Sequence, residues 1–262
     1  MKANVNGVGI HYEIHGSEGA PWLVLSHSLA CSVRMWDAQI AALQDKYRIL
    51  AFDTRGHGGS EAPAGPYTLE LLADDLKALL DRLHIARPHF CGLSMGGMIG
   101  QTFALKYLGV FQTLTLADTT SRIPAEAWPL WQERIATAKT KGMGPLAQPT
   151  LERWFTESFR KSNPAGVERI RKLILDTPVS GYVGCSHAIP KIDLTARLKE
   201  IRCPILVIVG EQDPATPVAM AREIHDNAPG SMLVVIPDAA HLSNVEQTAG
   251  FNRALDDFLT TR

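Results

Sequence analysis

The stretch Gly92-Leu93-Ser94-Met95-Gly96 constrains the fold of this chain more than any other five residues. It matches G-x-S-x-G, the pattern of a nucleophile elbow, in which a serine occupies a tight turn between a strand and a helix. Residues 88–91 before it predict a short buried strand, and residues 98–107 after it predict a helix. This context favours an elbow over a glycine-rich turn with an idle serine. The serine would project above a sheet edge, beside a helix N-terminus whose amides favour negative charge.

The composition is that of an ordinary globular protein and gives no sign of a nucleic-acid or membrane partner. Of the 262 residues, 45% are hydrophobic and 20% are charged, and the formal net charge is −1. A chain without a basic excess lacks the electrostatic footprint that nucleic acid or anionic lipid would require. No apolar run reaches the ~20 residues that span a membrane, and residues 1–6 lack the apolar core of a signal peptide.

The cysteines have no paired spacing and no C-x-x-C motif, so we expect reduced, mostly buried thiols in a cytoplasmic protein. One of them, Cys91, stands close to the elbow. It ends the predicted strand and does not occupy the nucleophile position, so we do not expect a catalytic thiol. The four are Cys31, Cys91, Cys185 and Cys203.

Predicted strands alternate with predicted helices along most of the chain. Apolar runs bounded by turn residues predict strands over 10–16, 22–27, 47–53, 88–91, 111–118, 204–210 and 232–237. Helical spacing predicts helices over 36–43, 69–83 with Thr68 as N-cap, 98–107, 218–227 and 245–260. Alternation of this kind implies an α/β fold with a mainly parallel sheet covered by helices on both faces.

Residues 120–192 interrupt this alternation, because they are helical in pattern, rich in Trp and Arg, and contain no clear strand. A helical insert between two strands implies a cap at the sheet's C-terminal edge, where ligands bind in open α/β sheets. We therefore expect a core made of residues 1–119 and 193–262, with a cap made of residues 120–192.

Ser94 needs partners, because a serine hydroxyl is a poor nucleophile at neutral pH without a base, and the base needs an orienting group. The elbow fold predicts the chain order Ser, acid, His. Asp213 lies just past a predicted strand, although Glu211 or Asp238 could replace it. Among the nine histidines, His241 alone follows the final predicted strand. Both loops would lie on the same rim of the sheet as Ser94.

An oxyanion hole requires two backbone N–H groups near the reacting carbonyl. We expect one from Met95, at the start of the elbow helix. The second is expected from Leu29, in the loop after the strand 22–27. The neighbouring Ser28 would bond either to the substrate or to its own backbone, and both interpretations remain open.

Together these stretches resemble the α/β-hydrolases: His27-Ser28-Leu29, residues 53–60, the elbow, Gly210-x-x-Asp213 and the late His241. More specifically, the sequence resembles the 3-oxoadipate enol-lactonases of protocatechuate and catechol breakdown. The stretches that carry this second resemblance are Arg153–Thr156, Gly181–Ile189 and Asp213–Pro217.

The resemblance implies an α/β-hydrolase fold, with a mostly parallel central sheet flanked by helices and a helical cap inserted after the sixth strand. By analogy, residues 55–58 form a structural turn, since they lack both G-x-G-x-x-G and the Lys-Ser/Thr of a phosphate loop. Glycine is usual in the superfamily where Ser28 stands. This departure bears on the shape of the loop, but not on the amide of the next residue, Leu29.

The substrate implied by the resemblance is a lactone that carries a free carboxylate, which the cap should bind. Trp131 and Arg134 are three residues apart on one helix face, and they offer an apolar wall and a carboxylate fork. Trp154 is a second candidate for the wall. The tryptophans could instead only pack the cap on the core, and Arg134 could be a solvated surface charge.

The sequence thus predicts a serine hydrolase, with neither cofactor nor metal, that opens 3-oxoadipate enol-lactone. Two alternatives share the same catalytic residues: a simple carboxylesterase and a carbon–carbon hydrolase acting on ring-fission dienones. A ligand receptor on a hydrolase scaffold is a third, although a complete Ser-Asp-His set argues against it. The oligomeric state is not predicted.

Overall fold

A computed structural model describes the whole chain, residues 1–262, and contains a single eight-stranded sheet. The strands are β1 (Lys2–Val5), β2 (Val8–His15), β3 (Trp22–Ser26), β4 (Arg48–Phe52), β5 (His89–Leu93), β6 (Thr113–Ala117), β7 (Ile205–Gly210) and β8 (Met232–Ile236). Their order across the sheet is β1-β2-β4-β3-β5-β6-β7-β8. The pairs β1–β2 and β2–β4 are antiparallel, and all the other pairs are parallel.

Six helices flank this sheet, and five more follow one another between β6 and β7. The flanking helices are α1 (Asp37–Leu43), α2 (Leu69–Arg82), α3 (Met95–Lys106), α9 (Val218–Asn227), α10 (Ser243–Glu246) and α11 (Thr248–Thr260). The inserted helices are α4 (Trp128–Lys141), α5 (Gly144–Trp154), α6 (Glu157–Ser162), α7 (Pro164–Asp176) and α8 (Val179–Ala188). A mostly parallel sheet with a helical insert after the sixth strand is the predicted architecture.

The centre of the sheet is buried on both faces, as expected for a parallel sheet covered by helices. Every residue of β5, β6 and β7 is buried. One hydrophobic cluster of 72 buried residues continues from the sheet into the inserted helices, so these helices share a core with the rest of the protein. No helix combines the length and apolarity needed to cross a membrane.

Three elements differ from the sequence prediction in their bounds, their continuity or their presence. The elbow strand extends to Leu93 and its helix begins at Met95, so the turn is the single residue Ser94. The helix predicted over 245–260 is two helices that meet at Gln247. Strand β1 was not predicted, since four residues give too short a pattern.

The last inserted helix, α8, packs directly on the turn that contains Gly56. A β-carbon placed on Gly181 would lie 1.8 Å from the carbonyl oxygen of Gly56, so both positions must be glycine for the two backbones to touch. One turn later, a β-carbon on Gly184 would meet the ring of Tyr67 at 2.5 Å. The insert is therefore seated on the core at this end through main-chain contact.

Candidate active site

Ser94 sits in the sharp turn between β5 and α3, with φ 56° and ψ −115°. Such a conformation costs a non-glycine residue about 1–3 kcal/mol. The two elbow glycines make the turn possible: a β-carbon on Gly92 would lie 2.3 Å from the carbonyl oxygen of Gly96, and one on Gly96 would lie 2.1 Å from that of Ser26. The G-x-S-x-G pattern is thus explained by strand and helix approaching too closely for side chains.

The structure brings the three predicted side chains into one chain of hydrogen bonds. The Oγ of Ser94 lies 2.9 Å from Nε2 of His241, and Nδ1 of His241 lies 2.8 Å from Oδ2 of Asp213. The two alternative acids lie elsewhere: Glu211 and Asp238 are exposed, and the amide of Asp238 donates to Glu211. Asp213 is therefore the acid that meets His241.

Asp213 is held as a carboxylate by a dense set of donors. Its Oδ1 accepts from the amides of Ala215, at 2.7 Å, and Thr216, at 3.0 Å. Its Oδ2 accepts from the hydroxyl of Thr216 at 2.7 Å as well as from His241. Burial alone would raise the pKa of Asp213, but the charge of His241 and these hydrogen bonds outweigh it and lower the pKa below its usual value.

His241 is 2% exposed, and its pKa lies above the usual value for histidine. Burial acts to lower that pKa, whereas the charge of Asp213, the hydrogen bond to it and the nearby Asp118 together raise it more. An imidazole in this setting readily accepts a proton from a hydroxyl group. It is also held in the tautomer that presents an unprotonated Nε2 to Ser94.

Asp118, which was not predicted as a site residue, joins the loops on either side of this chain of hydrogen bonds. Its Oδ1 accepts from the amide of Gly210, at the end of β7, at 2.8 Å. Its Oδ2 accepts from the hydroxyl of Ser243, two residues after His241, at 2.5 Å. Burial, followed by the negative charge of Asp213, raises the pKa of Asp118 to about 8. Asp118 follows β6 directly and resembles the last residue of a strand, so the sequence carries no signal for this role.

The amides of Leu29 and Met95 have no hydrogen-bond partner within the protein, although both residues are buried. The peptide group between Ser28 and Leu29 is held by His27, whose Nδ1–H donates to the carbonyl oxygen of Ser28 at 2.7 Å. Because this peptide is trans, the N–H of Leu29 points away from that carbonyl. The amide of Ala30 donates to Nε2 of His57 at 3.0 Å.

Both imidazoles beside this loop must be neutral, because each accepts a hydrogen bond from a backbone N–H on Nε2. His27 accepts from the amide of Thr54 at 2.9 Å, and His57 accepts from Ala30. Burial lowers the pKa of both imidazoles, and that of His57 falls to about 3. The loop geometry is therefore insensitive to pH near neutrality.

Ser28 forms part of the cavity wall, and its buried Oγ has no hydrogen-bond partner in the protein. Of the two interpretations left open by the sequence, a bond to its own backbone is therefore absent from the structure. The same Oγ has almost no accessible surface on the cavity side, so a bond from Ser28 to the substrate stays a prediction.

A cavity of about 280 Å³ lies between the inserted helices and the sheet edge, with Ser94 and His241 in its wall. Fifteen of its 25 lining residues are hydrophobic, which is typical of a site for a small organic molecule. The predicted wall residues Trp131, Arg134 and Trp154 all line it. The ring of Trp154 also packs against His241, with centroids 6.1 Å apart.

A second arginine, Arg153, lines the same cavity and was not predicted as a site residue. Neither Arg134 nor Arg153 forms an ion pair with any carboxylate; Arg153 contacts the hydroxyl of Thr150 at 3.3 Å, and Arg134 stacks over Trp131 at 5.0 Å. Burial lowers the pKa of both guanidinium groups, and that of Arg153 is lowered further by Arg134. The cavity therefore holds two half-buried positive charges with no acidic partner.

These groups together suit acyl transfer to a nucleophilic serine. A hydroxyl group is hydrogen-bonded to a buried imidazole, the imidazole to a carboxylate, and two unpaired amides lie at adjacent turns. Cys91 lies within β5, where burial raises the pKa of its thiol well above the usual range, so it stays protonated. No three His, Cys, Asp or Glu side chains are grouped as ligands for a metal ion.

Residues 21–248 match the family model described as alpha/beta hydrolase fold. The chain is 39% identical over 250 residues to 3-oxoadipate enol-lactonase 2 of Acinetobacter baylyi, covering 95% of this chain and 92% of that protein. It is 34% identical to 3-oxoadipate enol-lactonase 1 of the same species, covering 99% and 96% respectively. The crystal structure of the enol-lactonase from Burkholderia xenovorans superposes with a TM-score of 0.96 at 41% identity, covering 99% of this chain and 100% of that one. A match across most of the chain, in both sequence and structure, means that this protein belongs to the α/β-hydrolase family.

Proposed function

We propose that this enzyme is a serine hydrolase that opens an enol-lactone carrying a free carboxylate, with 3-oxoadipate enol-lactone as its substrate. The observation that carries the proposal is the pair Arg134 and Arg153, two unpaired guanidinium groups in the cavity that also contains Ser94 and His241. A small cavity with an apolar wall and a cationic end fits a compact ring acid better than a neutral ester.

In the acylation step, Nε2 of His241 takes the proton of Ser94 while Oγ attacks the lactone carbonyl. Asp213 holds the imidazole in position and stabilises its cationic form. The negative charge that develops on the carbonyl oxygen is bound by the amides of Leu29 and Met95. The tetrahedral intermediate then collapses and the bond from the carbonyl carbon to the ring oxygen breaks. The protonated His241 gives its proton to that oxygen, which leaves as an enol, a better leaving group than an alkoxide; the acyl chain remains on Ser94, and His241 is again neutral.

In the second step, His241 takes a proton from water, and the resulting hydroxide attacks the acyl carbonyl. The bond to Ser94 breaks and its Oγ recovers the proton, which releases a carboxylic acid. The enol formed in the first step converts to the ketone, which draws the reaction forward. Arg134 and Arg153 would hold the free carboxylate of the substrate throughout, so that one end of the molecule stays fixed while the ring opens.

The similarity to relatives named 3-oxoadipate enol-lactonase supports this substrate over the alternatives. A simple ester lacks the carboxylate that the two arginines would bind. A carbon–carbon hydrolase would need the same nucleophile and base, and a ring-fission dienone also carries a carboxylate, so it is the similarity to the enol-lactonases that favours the lactone over a dienone. The reaction would belong to the breakdown of protocatechuate and catechol.

The proposal is tested by steady-state kinetics on one preparation with three substrates: the enol-lactone, p-nitrophenyl acetate and a ring-fission dienone. We expect kcat/KM to be highest for the lactone, and at least about 100-fold above that for p-nitrophenyl acetate, because the acetate ester has no carboxylate for the two arginines to bind. Ser94→Ala should lower kcat by about 10⁴-fold or more. A dominant kcat/KM for the dienone or the simple ester would refute the substrate assignment. A Ser94→Ala variant with near wild-type turnover would refute the mechanism.

A further inference from the structure

The segment that joins α5 to α6 is hydrogen-bonded to the loop that carries His241. The amide of Leu242 donates to the carbonyl oxygen of Trp154 at 3.1 Å. Trp154 directly follows Arg153, which lines the cavity, and Leu242 directly follows His241. The inserted helices and the His241 loop therefore meet through the backbone at the cavity wall.

A buried carboxylate, Glu246, reinforces this junction from behind. Its Oε2 accepts from the amide of Ala240, the residue before His241, at 2.9 Å. Its Oε1 accepts from the amide of Thr156 at 3.1 Å and from the hydroxyl of the same residue. Glu246 is only 8% exposed, and all of these partners are uncharged donors. The carboxylate thus ties together two segments that are distant along the chain.

Both segments tied by Glu246 reach the reacting centre. On one side, Arg153 and Trp154 line the cavity three and two residues before Thr156. On the other, His241 follows Ala240 directly. The proposed chemistry needs the base to be aligned with a carbonyl group whose distance from Arg153 is set by the substrate itself. An error of about 1 Å in such an alignment costs about 100-fold in rate.

We infer that Glu246 is a positioning residue that fixes His241 relative to the carboxylate-binding wall of the cavity. The inference rests on the proposed function, since it takes His241 as the base and Arg153 as a carboxylate ligand. It predicts an effect that depends on the substrate. A substrate held at both ends requires the two segments in register, whereas a small ester that leaves Arg153 free can adjust to a displaced imidazole.

The test compares two activated esters with the same leaving group: mono-p-nitrophenyl glutarate, which carries a carboxylate, and p-nitrophenyl acetate, which does not. Glu246→Gln removes acceptor capacity, and Thr156→Val weakens the junction from the opposite side by removing the hydroxyl donor while the amide of residue 156 remains. We expect each variant to lose about tenfold more kcat/KM on the glutarate ester than on the acetate ester. The double variant should lose little more than either single variant, because both break the same link.

Two control variants separate this effect from simple destabilisation. Thr156 also caps α6 by accepting from the amide of Phe159, so Thr156→Val loses a helix cap as well as the link. Thr156→Ser retains both and should restore the wild-type ratio of the two activities. Asn163→Ala removes the cap of α7, where Asn163 accepts from Gly166, without touching the junction. It should lower stability but leave the ratio unchanged.

Equal losses on both esters in Glu246→Gln and Thr156→Val would overturn the inference and leave the proposed function intact. The inference would also fail if Asn163→Ala changed the ratio as much as Thr156→Val does. If the Ser94→Ala variant hydrolysed either ester at the wild-type rate, the proposed function would be overturned, and the inference with it.

Discussion

Replacing the two cavity arginines tests the carboxylate site most directly, and the structure indicates which variants to use. Arg134→Met and Arg153→Met remove the charge and keep an unbranched apolar side chain that can still pack against the wall. In the free enzyme the two guanidinium groups have no acidic partner, and the charge of Arg134 contributes to the lowered pKa of Arg153. Removing either one therefore relieves repulsion, and the melting temperature should not fall.

The expected loss follows from the bonds that the substrate carboxylate would form. A hydrogen bond to a charged group contributes about 1.5–3 kcal/mol, and about 1.4 kcal/mol corresponds to a tenfold change. Both side chains are only partly buried, so solvent screening places the loss near the lower end. We expect each single variant to lower kcat/KM for the enol-lactone by about tenfold, mostly through KM. The double variant should lower it by about 100-fold.

The assay is steady-state hydrolysis of the enol-lactone, with p-nitrophenyl acetate as a substrate without a carboxylate. Activity on the acetate ester should change by less than about twofold, since it makes no contact with either arginine. Arg171→Met is the matched control, because Arg171 lies on α7 outside the cavity and contacts Glu168 and Gln148. An equal loss on both substrates, or no loss on the lactone, would show that the arginines do not bind the substrate carboxylate.

Three further predictions concern the backbone, the base and the seating of the insert. Ser94→Gly should have a free energy of unfolding about 1–2 kcal/mol above that of Ser94→Ala in urea denaturation, because glycine accepts the strained turn; equal values would argue against strain there. Asp213→Asn should lower kcat by about 10⁴-fold, and in a pH profile of kcat/KM the residual activity should persist to lower pH. The sign follows because the pKa of His241, raised by the carboxylate, falls once burial dominates; an unmoved acid limb would contradict this. Gly181→Ala should cost about 3 kcal/mol in the same unfolding assay, whereas Gly144→Ala, with no atom within 4 Å of its added β-carbon, should be close to neutral; similar costs at both sites would refute the packing argument.

The elements whose evidence is local were predictable from the sequence. The turn at Ser94 follows from its flanking glycines, and Thr68 caps α2 as predicted, by accepting from the amide of Leu71. The order of strands and helices placed Asp213 and His241 in loops at one sheet edge. The structure brings both to Ser94, because parallel strands present their carboxyl ends together.

The residues that were missed act through contacts between distant segments, which a single sequence does not encode in any local pattern. Asp118 looks like the end of a strand, and its importance appears only when β7 and the His241 loop lie beside it. Glu246 falls within the pattern of one continuous helix, although its carboxylate accepts a hydrogen bond from Thr156, in the segment between α5 and α6. Arg153 precedes the predicted Trp154, but the direction of its side chain depends on how α5 packs over the cavity.

The contact between Gly56 and Gly181 limits how far α8 can move relative to the core. Two main chains that already touch leave α8 no room to move closer to the core, and a movement away from it would open a gap in a closely packed contact. Widening of the cavity would then come from helices that are not held in this way, such as α4, whose Leu130 lines the cavity and is 48% exposed. Variation in substrate size among related chains should accordingly accumulate along α4, while the two touching glycines remain unchanged.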